Sequence, residues 1–181
     1  RLIEGSLGVG DVVEQNVDQE KRRKTAINHS ATHLMHQSLR DILGSHVEQK
    51  GSLVTDNHLR FDFSHNKALS NQEIGNIETQ VASEISKSID TQTKTMGFKE
   101  AMKLGALAFF DEKYGDDVRV IFLGSNSIEL CGGTHVSNTR DIGLFKIVSE
   151  SSISTGVRRI EAITYQEANK FFNDLHIQSK L

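Results

Sequence analysis

The stretch Asn28–Gly44, NHSATHLMHQSLRDILG, sets how the rest of the chain is read. Extended back to Asp18, it forms one long helical run that closes on Gly44, a natural residue to follow a helix end. At about 100° per residue, Ile27, Ala31, Leu34, Ser38 and Ile42 fall on one face, flanked by Met35 and Leu39. His29, His33, His36 and Arg40 gather in a narrow stripe on the opposite face. The pattern predicts a helix that buries one side and turns a histidine-rich side toward something else.

Working outward, HLRFDFSH at 58–65 alternates Leu59, Phe61 and Phe63 with polar partners, as a half-buried strand does. That alternation turns Asp62 to the opposite face, where it is expected to be an exposed strand carboxylate. Ser70-Asn71-Gln72-Glu73 is a capping box ahead of Ile74, Ile77, Val81, Ile85 and Ile89, predicting a second amphipathic helix of about 20 residues. A short helix is expected around FKEAMKLG, and VRVIFLG, SIELCGG, GLFKIVSE and VRRIEAIT all have strand character. The tail, YQEANKFFNDLHIQSKL, turns helical again.

Before the long helix, LIEGSLGVGDVVEQNV reads as short strand material broken by glycine. The expected organisation is therefore the end of a truncated β subdomain at 1–17, one domain at 18–164, and the start of a connecting helix at 165–181. Long helices set against antiparallel-length strands give an α+β class, a two-layer domain with an antiparallel sheet packed by two long helices.

The 181 residues, 36% hydrophobic and 25% charged, are those of an ordinary folded domain. No apolar run approaches the length of a membrane span. A single cysteine excludes an internal disulfide framework and fits a reducing, cytoplasmic setting. The net charge of -3 argues against strong non-specific nucleic-acid binding, DNA included, but leaves room for a local patch. Lys21, Arg22, Arg23 and Lys24 form one basic cluster, and Arg158 with Arg159 a smaller one; either meets phosphates or solvent.

The lone cysteine lies in ELCGGTHV, 129–136, four residues before a histidine. On a plain strand those residues stand roughly 13 Å apart. Gly132 and Gly133 can take positive φ, which would let the chain curl until Cys131 and His135 point at one place. His29 and His33 lie one helical turn apart on the same face. Two ligands from a helix and two from a loop make a Cys-His₃ zinc site. His36, near the same stripe, is expected to support these groups or lie exposed. A thermolysin-like protease needs Glu straight after the first histidine, where this chain has Ser30. Nothing around Cys131 matches a papain-like signature.

Six ordered motifs, NHSATHLMH, HVEQKGSLV, LRFDFSH, ELCGGTHV, DIGLFKI and GVRRIEA, together resemble the editing domain of bacterial-type alanyl-tRNA synthetases. The resemblance runs from about residue 10 to 164. It implies that His29, His33, Cys131 and His135 surround a zinc ion, and that Gln49 lines the editing pocket. His33 and Cys131 would then serve the reaction as well as the metal. It also implies an aminoacyl-tRNA deacylase module that removes serine or glycine esterified to tRNA(Ala). Its partners would be the tRNA acceptor end and the rest of a synthetase that attaches alanine with ATP. The editing domain of threonyl-tRNA synthetase is similar in layout, and free-standing alanyl-tRNA editing proteins share the zinc motifs. GGTH with LRFDFSH favours the alanyl type. The rival outside the enzymes is a zinc-stabilised RNA-binding module without hydrolytic activity, against which stand the acidic charge and the scarcity of aromatic stacking platforms. Thr32 and Thr134, each beside a proposed ligand, are candidates to support the metal.

Overall fold

The computed structural model describes residues 3–108 and 114–180. In chain order it contains α1 (Gln19–Leu43), β1 (Gln49–Val54), β2 (Leu59–Ser64), α2 (Asn71–Ser86), β3 (Gln92–Gly97), α3 (Phe98–Lys103), β4 (Asp117–Leu123), β5 (Ser127–Leu130), a 3-10 turn (Thr139–Ile142), β6 (Phe145–Ser154), β7 (Val157–Thr164) and α4 (Tyr165–Gln178). The strands form two sheets, β1-β2-β7-β6 and β3-β4-β5, and every ladder is antiparallel. This is the expected α+β architecture, with its strands divided between two sheets.

The main core forms where α1 and α2 meet the larger sheet. Ile27, Ala31, Leu34, Met35 and Leu39 of α1 pack with Leu59, Phe61 and Phe63 of β2 and with Ile77, Val81 and Ile85 of α2. Their spacing is the helical and strand periodicity read from the sequence. A smaller cluster, Ala101, Ala106, Val118, Val120 and Leu130, lies beneath α3 on the second sheet. The predicted capping box forms, and Asp18 caps α1. The Asp18 side chain accepts from Lys21 N at 2.9 Å, and Ser70 and Glu73 make the reciprocal box.

Several expectations change. Residues 3–17 form no strand and are exposed throughout, because an extended segment gains nothing without a sheet edge to pair with. Arg1 and Leu2 of that stretch lie outside the described residues. The second helix stops at Ser86; Ser88 takes a positive φ of 53° and carries Ile89 out of the helical path. β1 and β3 were not foreseen, since both pair along one side only and carry few apolar residues to mark a period. Asp62 is buried: the Arg159 guanidinium donates two hydrogen bonds to its carboxylate, at 2.7 and 2.8 Å, across the β2–β7 ladder. Arg158 pairs in the same way with Glu150, so neither arginine is free for phosphate.

No helix among the described residues is long and apolar enough to cross a membrane.

Candidate metal centre

The histidine stripe of α1 faces inward, onto β5 and the loop that follows it. His33 and His36 are each 4% exposed, so His36 is buried and not a solvent-facing neighbour. β5 delivers Glu129 and Cys131, two residues apart and therefore on one face of the extended chain. Beyond it the loop is clamped by Arg119 of β4, which donates to the Cys131 carbonyl at 2.6 Å and to the Gly133 carbonyl at 2.8 Å. Ser30, in the gap between the two α1 histidines, anchors the far end. Its Oγ accepts from Val136 N at 3.1 Å and lies 3.1 Å from His135 Nδ1.

Four donor atoms converge as a result. His29 Nε2 stands 3.3 Å from His33 Nε2 and 3.5 Å from Cys131 Sγ, and His135 Nε2 is 3.4 Å from the same sulfur. One ligand atom from each of the four residues lies within 4.8 Å of the others. Tetrahedral zinc with bonds of about 2.05 Å to nitrogen and 2.3 Å to sulfur spaces its ligands about 3.3 Å (N···N) and 3.6 Å (N···S) apart. The three separations of 3.3–3.5 Å match edges of that polyhedron, and the one-sulfur, three-imidazole donor set suits zinc.

Two of the rings have a hydrogen-bond partner at the opposite nitrogen, and the third, His33, has a carboxylate close by without hydrogen-bond geometry. His29 Nδ1 faces the Thr134 carbonyl at 3.2 Å, His135 Nδ1 faces Ser30 Oγ, and His33 Nδ1 lies 3.1 Å from Glu129 Oε2. A proton on each Nδ1 leaves the Nε2 lone pairs aimed at the common centre. Glu129, 2% exposed, also meets His36 Nδ1 through its other oxygen at 3.2 Å. Burial alone would raise the Glu129 pKa, but His33 and His36 outweigh it and hold the carboxyl below its usual range. Burial is the first cause acting on the rings, with the neighbouring imidazoles adding to it. His29 is pushed down to about 4, His135 to about 2, and His33 is lowered as well, despite Glu129. At neutral pH the three rings are therefore neutral, the form that ligates metal.

The Gly-Gly pair works differently from expectation. Neither Gly132 nor Gly133 has a positive φ. What Gly133 supplies is absence of a side chain: a Cβ there would stand 2.2 Å from His29 Cε1, whereas one on Gly132 would meet nothing within 4 Å. The loop can approach the α1 ring only through a glycine.

Beside the donors is a cavity of about 100 Å³ whose wall includes Thr32, Gln49, Ser52 and Phe61. Gln49, the first residue of β1, thus sits at the site, and with His36 it also borders a wider hollow of about 320 Å³. Thr32 Oγ1 donates to the Asn28 carbonyl, and Thr134 contributes its backbone oxygen instead of its hydroxyl. Glu129, Ser30 and Arg119 had escaped the sequence reading. Glu129 carried a signal, since its i−2 relation to Cys131 on a strand places both on one face.

A family model described as "Threonyl and Alanyl tRNA synthetase second additional domain" matches residues 118–161. The alanine–tRNA ligase of Methylibium petroleiphilum is 52% identical over 175 residues, 97% of this chain and 20% of that protein. The alanine–tRNA ligase of Stenotrophomonas maltophilia is 55% identical over 167 residues, 92% of this chain and 19% of the relative. That of Xanthomonas campestris pv. campestris is 53% identical over 168 residues, 93% and 19%. The chain spans about a fifth of the length of these curated relatives. The chain therefore corresponds to a segment of alanine–tRNA ligases, and its residues 118–161 match the threonyl and alanyl tRNA synthetase second additional domain.

Proposed function

We propose that this chain is the editing domain of an alanine–tRNA ligase and hydrolyses the ester of Ser-tRNA(Ala) and Gly-tRNA(Ala). The observation that carries this reading is the convergence of His29, His33, Cys131 and His135 beside a small cavity whose wall includes Gln49. These four residues would hold zinc, which when bound polarises an ester oxygen or a water and lowers the cost of developing negative charge. Glu129, Ser30 and the Thr134 carbonyl keep the three rings in the ligating tautomer. The cavity, at about 100 Å³, has room for a small aminoacyl group only.

Selectivity would come from a few polar groups on an otherwise apolar wall. The Gln49 amide can pair with a serine hydroxyl, whereas an alanine methyl offers it nothing and costs about 1–3 kcal/mol for the stranded group. A synthetic site cannot firmly reject serine or the smaller glycine, so a second site that removes the wrong product has a clear task. The partners on this reading are the mischarged acceptor end and the rest of the synthetase, whose ATP-dependent ligation of alanine occurs outside this chain.

The closed set of four protein donors favours a second reading, a structural zinc without hydrolysis. Deacylation of Ser-tRNA(Ala) and Ala-tRNA(Ala) by the zinc-loaded chain separates the two. Editing predicts loss of serine with alanine spared, slowed by Gln49→Ala at unchanged zinc content. A zinc-loaded chain that cleaves neither ester overturns editing and leaves the structural reading.

A further inference from the structure

The arginines sort cleanly by partner. Arg40 donates to the carbonyls of Ser45 and Val47, Arg119 to those of Cys131 and Gly133, Arg158 to Glu150 and Arg159 to Asp62. Arg60 lies 4.0 Å from Asp62, and Arg23 pairs with Glu20 while its guanidinium sits 4.9 Å over the Tyr165 ring. Among the described residues, only Arg22 and Arg140 have guanidinium groups without a carboxylate or carbonyl partner. They come from different elements, α1 and the 3-10 turn. Both nevertheless line one cleft of about 620 Å³, together with Arg23, Tyr165 and His135. The cleft's single carboxylate, Asp141, is occupied with the Asn138 backbone and the Ser137 hydroxyl.

Two unpaired guanidiniums, sharing one concavity with a third that is stacked on an aromatic ring, make a surface for the phosphates of a phosphodiester chain. Tyr165 keeps its place at a positive φ of 46°, and its backbone N–H donates to the Leu144 carbonyl. That is a conformation non-glycine residues rarely hold without support. His135, one of the four metal donors, forms part of the same wall, so a strand lying in the cleft ends at the donor cluster.

We propose that the cleft between α1 and the 3-10 turn is the dock for the single-stranded 3′ end of the substrate RNA, with Arg22 and Arg140 as its phosphate contacts. This rests on the editing reading for the identity of the RNA. It moves the expected phosphate contacts away from Arg158 and Arg159, whose charges are already consumed.

The test is binding of a hairpin RNA that reproduces the uncharged tRNA(Ala) acceptor stem and its single-stranded end, followed by fluorescence anisotropy from 50 to 300 mM KCl. Wild type is compared with Arg22→Ala/Arg140→Ala and Arg22→Lys/Arg140→Lys. Neither residue touches the metal donors, so zinc content and melting temperature serve as folding controls. Loss of two phosphate contacts on a single strand should flatten the slope of log K against log[KCl] by about 1.4 and weaken binding at least about tenfold at the lowest salt. The lysine pair should keep the slope. Unchanged slope and affinity in the alanine pair, or no binding by wild type even at 50 mM, overturns the proposal. Seryl-ester hydrolysis is scored separately: a wild type that binds the hairpin through these arginines but cleaves no ester refutes editing and leaves the dock standing.

Discussion

Replacing Gly133 with alanine isolates what the Gly-Gly turn does. The added methyl carbon would lie 2.2 Å from His29 Cε1 and 2.7 Å from His29 Nδ1. Carbon atoms in good contact sit about 3.5 Å apart, so the ring or the loop must yield by about 1.3 Å. Metal–ligand bonds tolerate about 0.2 Å. The loop is poorly placed to move, because the Arg119 guanidinium holds the carbonyls on both sides of Gly132. His29 is therefore the group displaced, and it loses its contact with the Thr134 carbonyl as it goes. Loss of a direct ligand should weaken metal binding by more than the 10–100-fold typical of losing a supporting group. Competition titration against a chromophoric zinc chelator measures this, with Gly132→Ala as the matched control because its methyl meets nothing within 4 Å. Equal zinc affinities for the two variants would refute the close-approach argument.

Other consequences of the same architecture are open to measurement. Glu129→Gln keeps the shape but removes the charge between His33 and His36; zinc affinity should drop about 10–100-fold with the fold retained, and an unchanged dissociation constant would show the carboxylate to be incidental. In the metal-free chain, His29 and His135 have folded pKa values of about 4 and about 2, below the roughly 6.5 of an unfolded histidine. The unfolded chain thus binds more protons below pH 6.5, so stability is complete above that pH and falls on acidification toward 4, and further toward 2 for His135. Its slope reaches about 1.4 kcal/mol per pH unit for each ring. Urea unfolding at pH 7, 6 and 5 reads it out, and a flat profile contradicts the argument. Phe61 is fully buried between Phe63 and His36. Phe61→Ala should cost about 3–5 kcal/mol in the same assay, and a loss below 1 kcal/mol would mean the site collapses around the gap.

The elements that carried strong periodicity were legible before any coordinates. The apolar row of α1, that of α2 as far as Ile85, the Phe61–Phe63 alternation and the four later strands stand where the spacing put them. Edge strands were not legible: QKGSLV and QTKTMG have half their surroundings in water, and their pairing depends on neighbours far along the chain. The four clustered donors could be picked out because each pair sits at a recognisable local spacing. Their support could not. Arg119 reaches the loop from β4, and Ser30 was noticed only as the residue that spoiled a protease motif, whereas it anchors His135. Asp62 and Arg159 show the same limit, since a strand period says which face a carboxylate takes but not that a cation waits there.

The two halves of the donor set are nearly a hundred residues apart, His33 in α1 and Cys131 after β5. Joining such distant points in an unfolded chain costs about 4.7 kcal/mol in lost freedom for a loop of that length. An ion that meets the chain early therefore gains little from bridging the pairs, unlike one whose ligands all lie within a short finger. A core of α1, α2 and β2 that assembles without the ion would bring the donors together at its own expense. An ion held by these four residues would then act as a late latch: it would bind a finished frame, raise the melting temperature with the logarithm of its concentration, and leave the frame standing when a chelator withdrew it.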